Sequence, residues 1–80
     1  MLEAPILHEG TRVRILGPKS VLGVTLASPF GTVKAPGEYS GYYIVRLDEP
    51  ATYHYADGRT EQIDEVREFW DNLEVIEPAR

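Results

Sequence analysis

The chain has no cysteine, a single methionine and a single tryptophan among 80 residues. Without thiols there can be no disulfide framework, no thiolate nucleophile and no zinc site built on sulfur, and the sequence is read as cytoplasmic. Long apolar runs are also missing. Residues 1–16 contain Leu2, Ile6 and Leu7 but intersperse Glu3, Pro5, His8 and Glu9, which lacks the basic start and unbroken apolar core of a signal peptide. No other window approaches the roughly 20 apolar residues of a membrane span. A soluble chain with no membrane partner is expected.

Basic charge is scarce and unevenly placed. Lysine and arginine number 8 against 13 carboxylates, for a formal charge of −5. Residues 1–47 hold Arg12, Arg14, Lys19, Lys34 and Arg46 against Glu3, Glu9 and Glu38, whereas residues 48–80 hold Arg59, Arg67 and Arg80 against ten carboxylates. A nucleic-acid binder needs a basic stripe to release counterions from phosphates, and the overall field here opposes that. The acidic half reads as a solvated face that maintains solubility.

What is present is short alternating segments punctuated by Gly and Pro. Residues 1–9 read as an arm that ends before Gly10 and can cover an edge. Thr11 to Leu16 then sets Val13 and Ile15 against Arg12 and Arg14, a strand with one wet side. After the turn Gly17-Pro18-Lys19-Ser20 comes a long first loop containing some strand, interrupted by Gly23. Thr32 to Ala35 and Gly41 to Asp48 flank a wide loop over Ala35–Gly41, and the second segment turns Tyr43, Val45 and Leu47 inward and Tyr42 and Ile44 outward.

Glu49-Pro50 is expected to end that strand, since proline cannot donate to a ladder. Ala56-Asp57-Gly58 proposes a hairpin between Ala51–Tyr55 and Arg59–Ile63, and its polar flanks predict that it projects from the core. Val66, Trp70 and Leu73, at spacings of four and three, would share one face of a short helical turn within EVREFWDNL. Leu73 to Ile76 supplies the last strand.

The order Gly10, Val13 and Ile15, then Gly31 and Val33, then Tyr43, Val45, Leu47 and Asp48, then a turn and Asp71 to Ile76, resembles the small SH3-like barrels, over residues 10–77. That family includes KOW-type modules of ribosomal and transcription proteins and short phage or mobile-element proteins of unassigned function. The resemblance implies an all-β fold: a five-stranded SH3-like barrel over residues 10–77, with one helical turn before the last strand and residues 78–80 as a tail. Such a fold hosts many roles, so function must be argued from side chains.

The aromatic set is the strongest functional feature. Tyr39, Tyr42, Tyr53 and Tyr55, with Ile44, form a candidate binding surface, because SH3-like barrels commonly bind extended peptides with loop aromatics and flat rings bury much area at small entropic cost. The bland alternative is that these rings line the barrel mouth with wet hydroxyls. Trp70 and Tyr43 are assigned to the core. An outward Tyr42 and Ile44 need a cover, either the arm or a second copy, so self-association is an expectation beside a protein partner. The runner-up function is nucleic-acid binding through Arg12, Arg14, Lys19 and Lys34.

Chemistry finds little support. Asp57, Glu61, Asp64, Glu65 and Glu68 lack the spacing and sharp Gly turn of a calcium loop, and His8 and His54 have no second ligand four residues away, so no metal or cofactor is expected. Ser20, Ser28 and Ser40 lie in no activating context. The plasmid-type trimethoprim-insensitive dihydrofolate reductase is a similar short barrel with a Gly-x-x-Val-x opening, and it forms a tetramer around a pore lined by Val-Gln-Ile-Tyr. Glu61-Gln62-Ile63-Asp64 is the nearest counterpart here, with Asp replacing Tyr, which makes a pore-type reductase the third reading. The sequence is thus read as a non-catalytic interaction module.

Overall fold

The computed structural model describes residues 5–17 and 23–79. Six strands follow in order: β1 (Arg12–Ile15), β2 (Val24–Thr25), β3 (Phe30–Pro36), β4 (Tyr42–His54), β5 (Thr60–Phe69) and β6 (Leu73–Glu77), with a 3-10 turn at Trp70–Asn72 between the last two. The chain is mainly β, as expected. All pairings are antiparallel within one sheet whose main path runs β6-β1-β3-β4-β5, with β2 lying beside the far half of β4. The sheet is not closed into a barrel: among the described residues the outer edges of β5 and β6 pair with no strand.

Alternation dictates the core. Val13 and Ile15 from β1, Val33 from β3, and Tyr43, Val45 and Leu47 from β4 point to one side, where Leu7, Ala51, Val66 and Leu73 join them. Val13 and Val45 have no exposed surface. Burying each such side chain stabilises by roughly 1.5–3 kcal/mol. Gly31 is required where β3 crosses β4, since a Cβ there would come within 2.6 Å of both the Arg46 carbonyl and Val45 Cγ1.

Three expectations are corrected. Pro50 does not end its strand; β4 runs on to His54, because Arg46 still pairs with Glu65 and Ala51 with Ile63 while Leu47, Asp48, Glu49 and Pro50 bulge opposite Asp64. A residue without an N–H is tolerated in such an irregularity. The helical turn is confined to Trp70–Asn72, whereas Glu65–Phe69 belongs to β5, with Val66 and Glu68 alternating inward. Two faces of a strand account for that spacing as well as a helix does. The strand count is six, since the first loop contributes β2.

The hairpin around Ala56-Asp57-Gly58 forms as expected. The Gly58 N–H donates to the Tyr55 carbonyl at 3.0 Å, and Asp57 accepts from the Arg59 backbone N–H at 3.0 Å and from Arg59 Nε at 2.7 Å. With β2 it makes a ribbon projecting from the core, and β4, at about 3.3 Å per residue, spans about 40 Å. That length matches the molecule's longest extent of 42 Å, against 27 and 19 Å in the other directions.

The arm is held by Tyr43. Its hydroxyl accepts from the Leu7 N–H at 3.1 Å and donates to the Pro5 carbonyl at 3.2 Å, so Leu7 enters the core while Ile6 stays 77% exposed. The described part of the arm therefore lies against Tyr43, on the core side of β4; Leu2 is outside the described residues.

Candidate functional site

The outer face of the sheet carries a ladder of charges. Arg12 reaches Asp48 with a bidentate pair at 2.7 Å and also donates to Thr32; Arg14 meets Glu74 at 2.9 Å; Lys34 meets Glu65 at 2.6 Å. Hydrogen bonding from Arg12 holds the Asp48 carboxyl below its ordinary range, and Lys34 does the same for Glu65. These pairs are exposed and screened by solvent, so they add little to stability. Their consequence is electrostatic: the cations named for nucleic-acid binding at positions 12, 14 and 34 each face a carboxylate. Lys19 lies outside the described residues.

Arg46 differs. Among the described lysines and arginines it alone has no ion pair, and it lines an open groove of about 400 Å3 with Glu9, Gly10, Thr32, Val33 and Lys34. The groove presents both signs of charge.

At the end of the sheet the outward residues become aromatic. Tyr42 pairs with Phe69 across β4 and β5, and their rings meet edge-on at 5.1 Å. Tyr39 continues the row at 6.4 Å from Tyr42, and Trp70 extends it at 5.8 Å from Phe69. Gly41 makes this possible: its φ of +86° turns the chain, and a Cβ there would strike Phe69 Cε1 at 2.7 Å. The Gly41 carbonyl accepts from the Trp70 N–H at 2.8 Å, which fastens the β3–β4 loop to the 3-10 turn. Tyr39 is 73% and Tyr42 40% exposed.

Beneath this ridge lies a polar anchor. Asn72 is buried, and its Nδ2 donates to the Gly17 carbonyl at 2.7 Å and to Glu68 at 2.9 Å, leaving Oδ1 without a partner. Burial raises the Glu68 pKa, and the Asn72 bond partly opposes that rise.

The predicted aromatic site divides in two. Tyr39 and Tyr42 join the ridge, with Ile44 half-buried next along the outward side of β4. Tyr53 and Tyr55 lie on the projecting ribbon, where their rings meet at 4.8 Å, Arg59 stacks over Tyr55 at 4.8 Å, and the Tyr55 hydroxyl donates to Glu61 at 2.7 Å. Sequence reasoning missed Phe69, and it assigned Trp70 to packing before binding; Trp70 is partly buried against the core and also ends the ridge. The available signal was Phe69 beside Trp70 in a segment that could pair with Tyr42.

Residues considered for chemistry remain dispersed. Ser28 accepts from the Phe30 N–H, His54 lies 3.1 Å from the Thr25 hydroxyl on the ribbon, and Ser20 is outside the described residues. No group of three His, Asp or Glu among the described residues could hold a metal. Glu61 to Asp64 belong to the ribbon part of β5, with Glu61 bonded to Tyr55. No described helix is long and apolar enough to cross a membrane. No known protein family, curated protein or solved structure matches the chain.

Proposed function

We propose that this protein is a non-catalytic interaction module, cytoplasmic as its lack of cysteine suggests, that binds an extended protein segment along the ridge of Tyr39, Tyr42, Phe69 and Trp70. The observation that carries this reading is the unbroken row of ring contacts, in which Tyr39 is largely and Tyr42 partly open to solvent. Rigid aromatics on a fixed scaffold supply binding area with few rotamers to freeze. The same proposal reads five of the strands as an SH3-like barrel with its seam left open. A β3-β4-β5 meander, a 3-10 turn and a last strand returning beside the first support it.

Trp70, the only tryptophan, is a built-in reporter. Peptides selected from a random extended library should change Trp70 fluorescence on titration, and Tyr39→Ala with Tyr42→Ala should abolish that change while leaving the melting temperature nearly intact. Selected peptides that bind the double variant equally well would sink the reading. Duplex DNA or RNA should show no appreciable binding at physiological salt, because phosphates would have to displace Asp48, Glu74 and Glu65 from their cations. Tight, salt-sensitive retention would favour the nucleic-acid alternative instead.

A further inference from the structure

Among the described residues the sheet is open at β2, β5 and β6; β2 is only two residues long, and the two longer edges are not alike. The outer edge of β5 belongs to a strand bearing Glu61, Asp64, Glu65 and Glu68 against one arginine, Arg67; Lys34 holds Glu65, and an incoming strand still meets an excess of negative charge. Such charge is a recognised guard against edge pairing. In β6 the two acids lie beside arginines of β1: Glu74 is bonded to Arg14, and Glu77 pairs in register with Arg12. No lysine or proline interrupts Leu73–Glu77.

The hydrogen-bonding phase of β6 is fixed by its neighbour. The Asn72 carbonyl accepts from the Leu16 N–H, while the Ile15 N–H turns the other way to the Pro29 carbonyl. Alternation along the strand then directs the Leu73 carbonyl and both main-chain groups of Val75 away from β1, into the open edge. The Val75 side chain pairs with fully buried Val13 and so belongs to the core face, yet it is 47% exposed, and Ile76 beside it is 49% exposed. Among the described residues nothing covers this end of the core, at the edge where main-chain groups also have no partner strand.

We propose that β6 is a homodimerisation edge: a second copy of this chain adds its own β6 antiparallel to the first, with Val75 at the two-fold axis. Two Val75 residues facing each other exchange both main-chain hydrogen bonds, and their side chains close the apolar seam. The contact is isologous, as a two-fold requires, since one patch serves both copies. A second copy fits better than an unrelated strand because the edge is self-complementary, with the Val75 donor, acceptor and apolar side chain serving both copies, while Glu74 is already held by Arg14. A chain of 80 residues also gains more from a shared core than a large one does.

The test is sedimentation velocity from micromolar to near-millimolar protein, with circular dichroism on each variant. Wild type should dimerise, and Val75→Pro, which removes a donor used only on the open side, should weaken association by about tenfold or more without changing the spectrum. Val75→Lys should do the same by placing two charges on the axis, and it keeps the test intact if the proline variant does not fold. Tyr39→Ala with Tyr42→Ala should leave dimerisation unchanged, separating this edge from the aromatic ridge. Because the chain has no cysteine, Val75→Cys should cross-link between copies with a short bifunctional maleimide and Tyr53→Cys should not. A wild-type monomer throughout, dimers unaffected by both Val75 variants, or the reverse cross-linking pattern would each overturn the proposal.

Discussion

Strand β4 passes through two environments without leaving its sheet. From Tyr42 to Leu47 it lies between β3 and β5, and Tyr43, Val45 and Leu47 disappear into the core at 8%, 0% and 6% exposure. From Ala51 to His54 it lies between β2 and β5; there Ala51 is buried, Tyr53 only half so, and Thr52 accepts from Gln62 on the opposite, polar face. Both stretches are hydrogen-bonded to a strand on each side, although β2 meets only Thr52 and Tyr53. They differ in what lies over them, since β1, β6 and Leu7 contribute side chains above the first. Ladder hydrogen bonds largely replace bonds to water, so the buried layer, more than the pairing, distinguishes the two in stability.

The sharpest way to break this comparison is to truncate one residue in each half. Leu47→Ala should cost about 2–4 kcal/mol. Tyr53→Ala should cost about 1 kcal/mol, because its ring is half-solvated and loses chiefly an edge contact. Urea melts of the two variants measure both, and equal losses would show that the ribbon is as deeply integrated as the core.

An effect smaller than that of Leu47→Ala is expected from Tyr43→Phe. Its ring would stay packed, but the Leu7 N–H would lose its acceptor at a buried site, at a cost of about 1–2 kcal/mol. Amide exchange should accelerate at Leu7 and stay unchanged on the ribbon. Slow exchange persisting at Leu7 would mean that the hydroxyl does not hold the arm.

The smallest change concerns Glu68, paired in register with Tyr43. Its folded-state pKa is raised by burial, so the folded form binds its proton more tightly than the unfolded chain does. The ionised carboxylate therefore weakens the fold above that folded pKa, and the penalty fades as pH falls through it. Glu68→Gln should add a few tenths to about 1 kcal/mol at neutral pH. That gain should shrink on acidification, and melts from pH 7 to pH 4 in which it grew would reverse the assignment. Asp48 has the opposite sign: its lowered pKa gives stability present above the ordinary carboxylate range and lost in acid.

Much of this architecture can be read from the chain because alternation is local. Val13 with Ile15, and Tyr43 with Val45 and Leu47, state their inward face within a few residues, and Asp57-Gly58 states its turn. Pairing is not local. Nothing near Tyr42 specifies that Phe69 will stand opposite, so the ridge was visible only as separate tyrosines. The spacing of Val66, Trp70 and Leu73 fits a helical face as well as a strand followed by a 3-10 turn, and only the partner strand decides. Pro50 misled for a related reason: its missing donor matters only if the partner needs it, and the bulge opposite Asp64 removes that need. Likewise the basic first half looked available for phosphates because its carboxylate partners, Asp48, Glu65 and Glu74, all come from the other half of the sequence.

That β1 lies between β3 and β6 bears on the order in which the molecule forms. The β3-β4-β5 meander is joined by short connections and can zip from its turns, whereas the pairs Arg14 with Glu74 and Ile15 with Leu73 join positions about sixty residues apart. Closing so long a loop loses chain entropy before any contact offsets it, which places β1–β6 docking late and slows the whole reaction toward the millisecond-to-second range typical of such β topologies. During synthesis Val13 and Ile15 emerge well before Leu73, so they must wait for one side of their ladder while the chain lengthens. The Leu16 and Gly17 contacts to Asn72 then act as a final latch, made only when both distant segments have arrived.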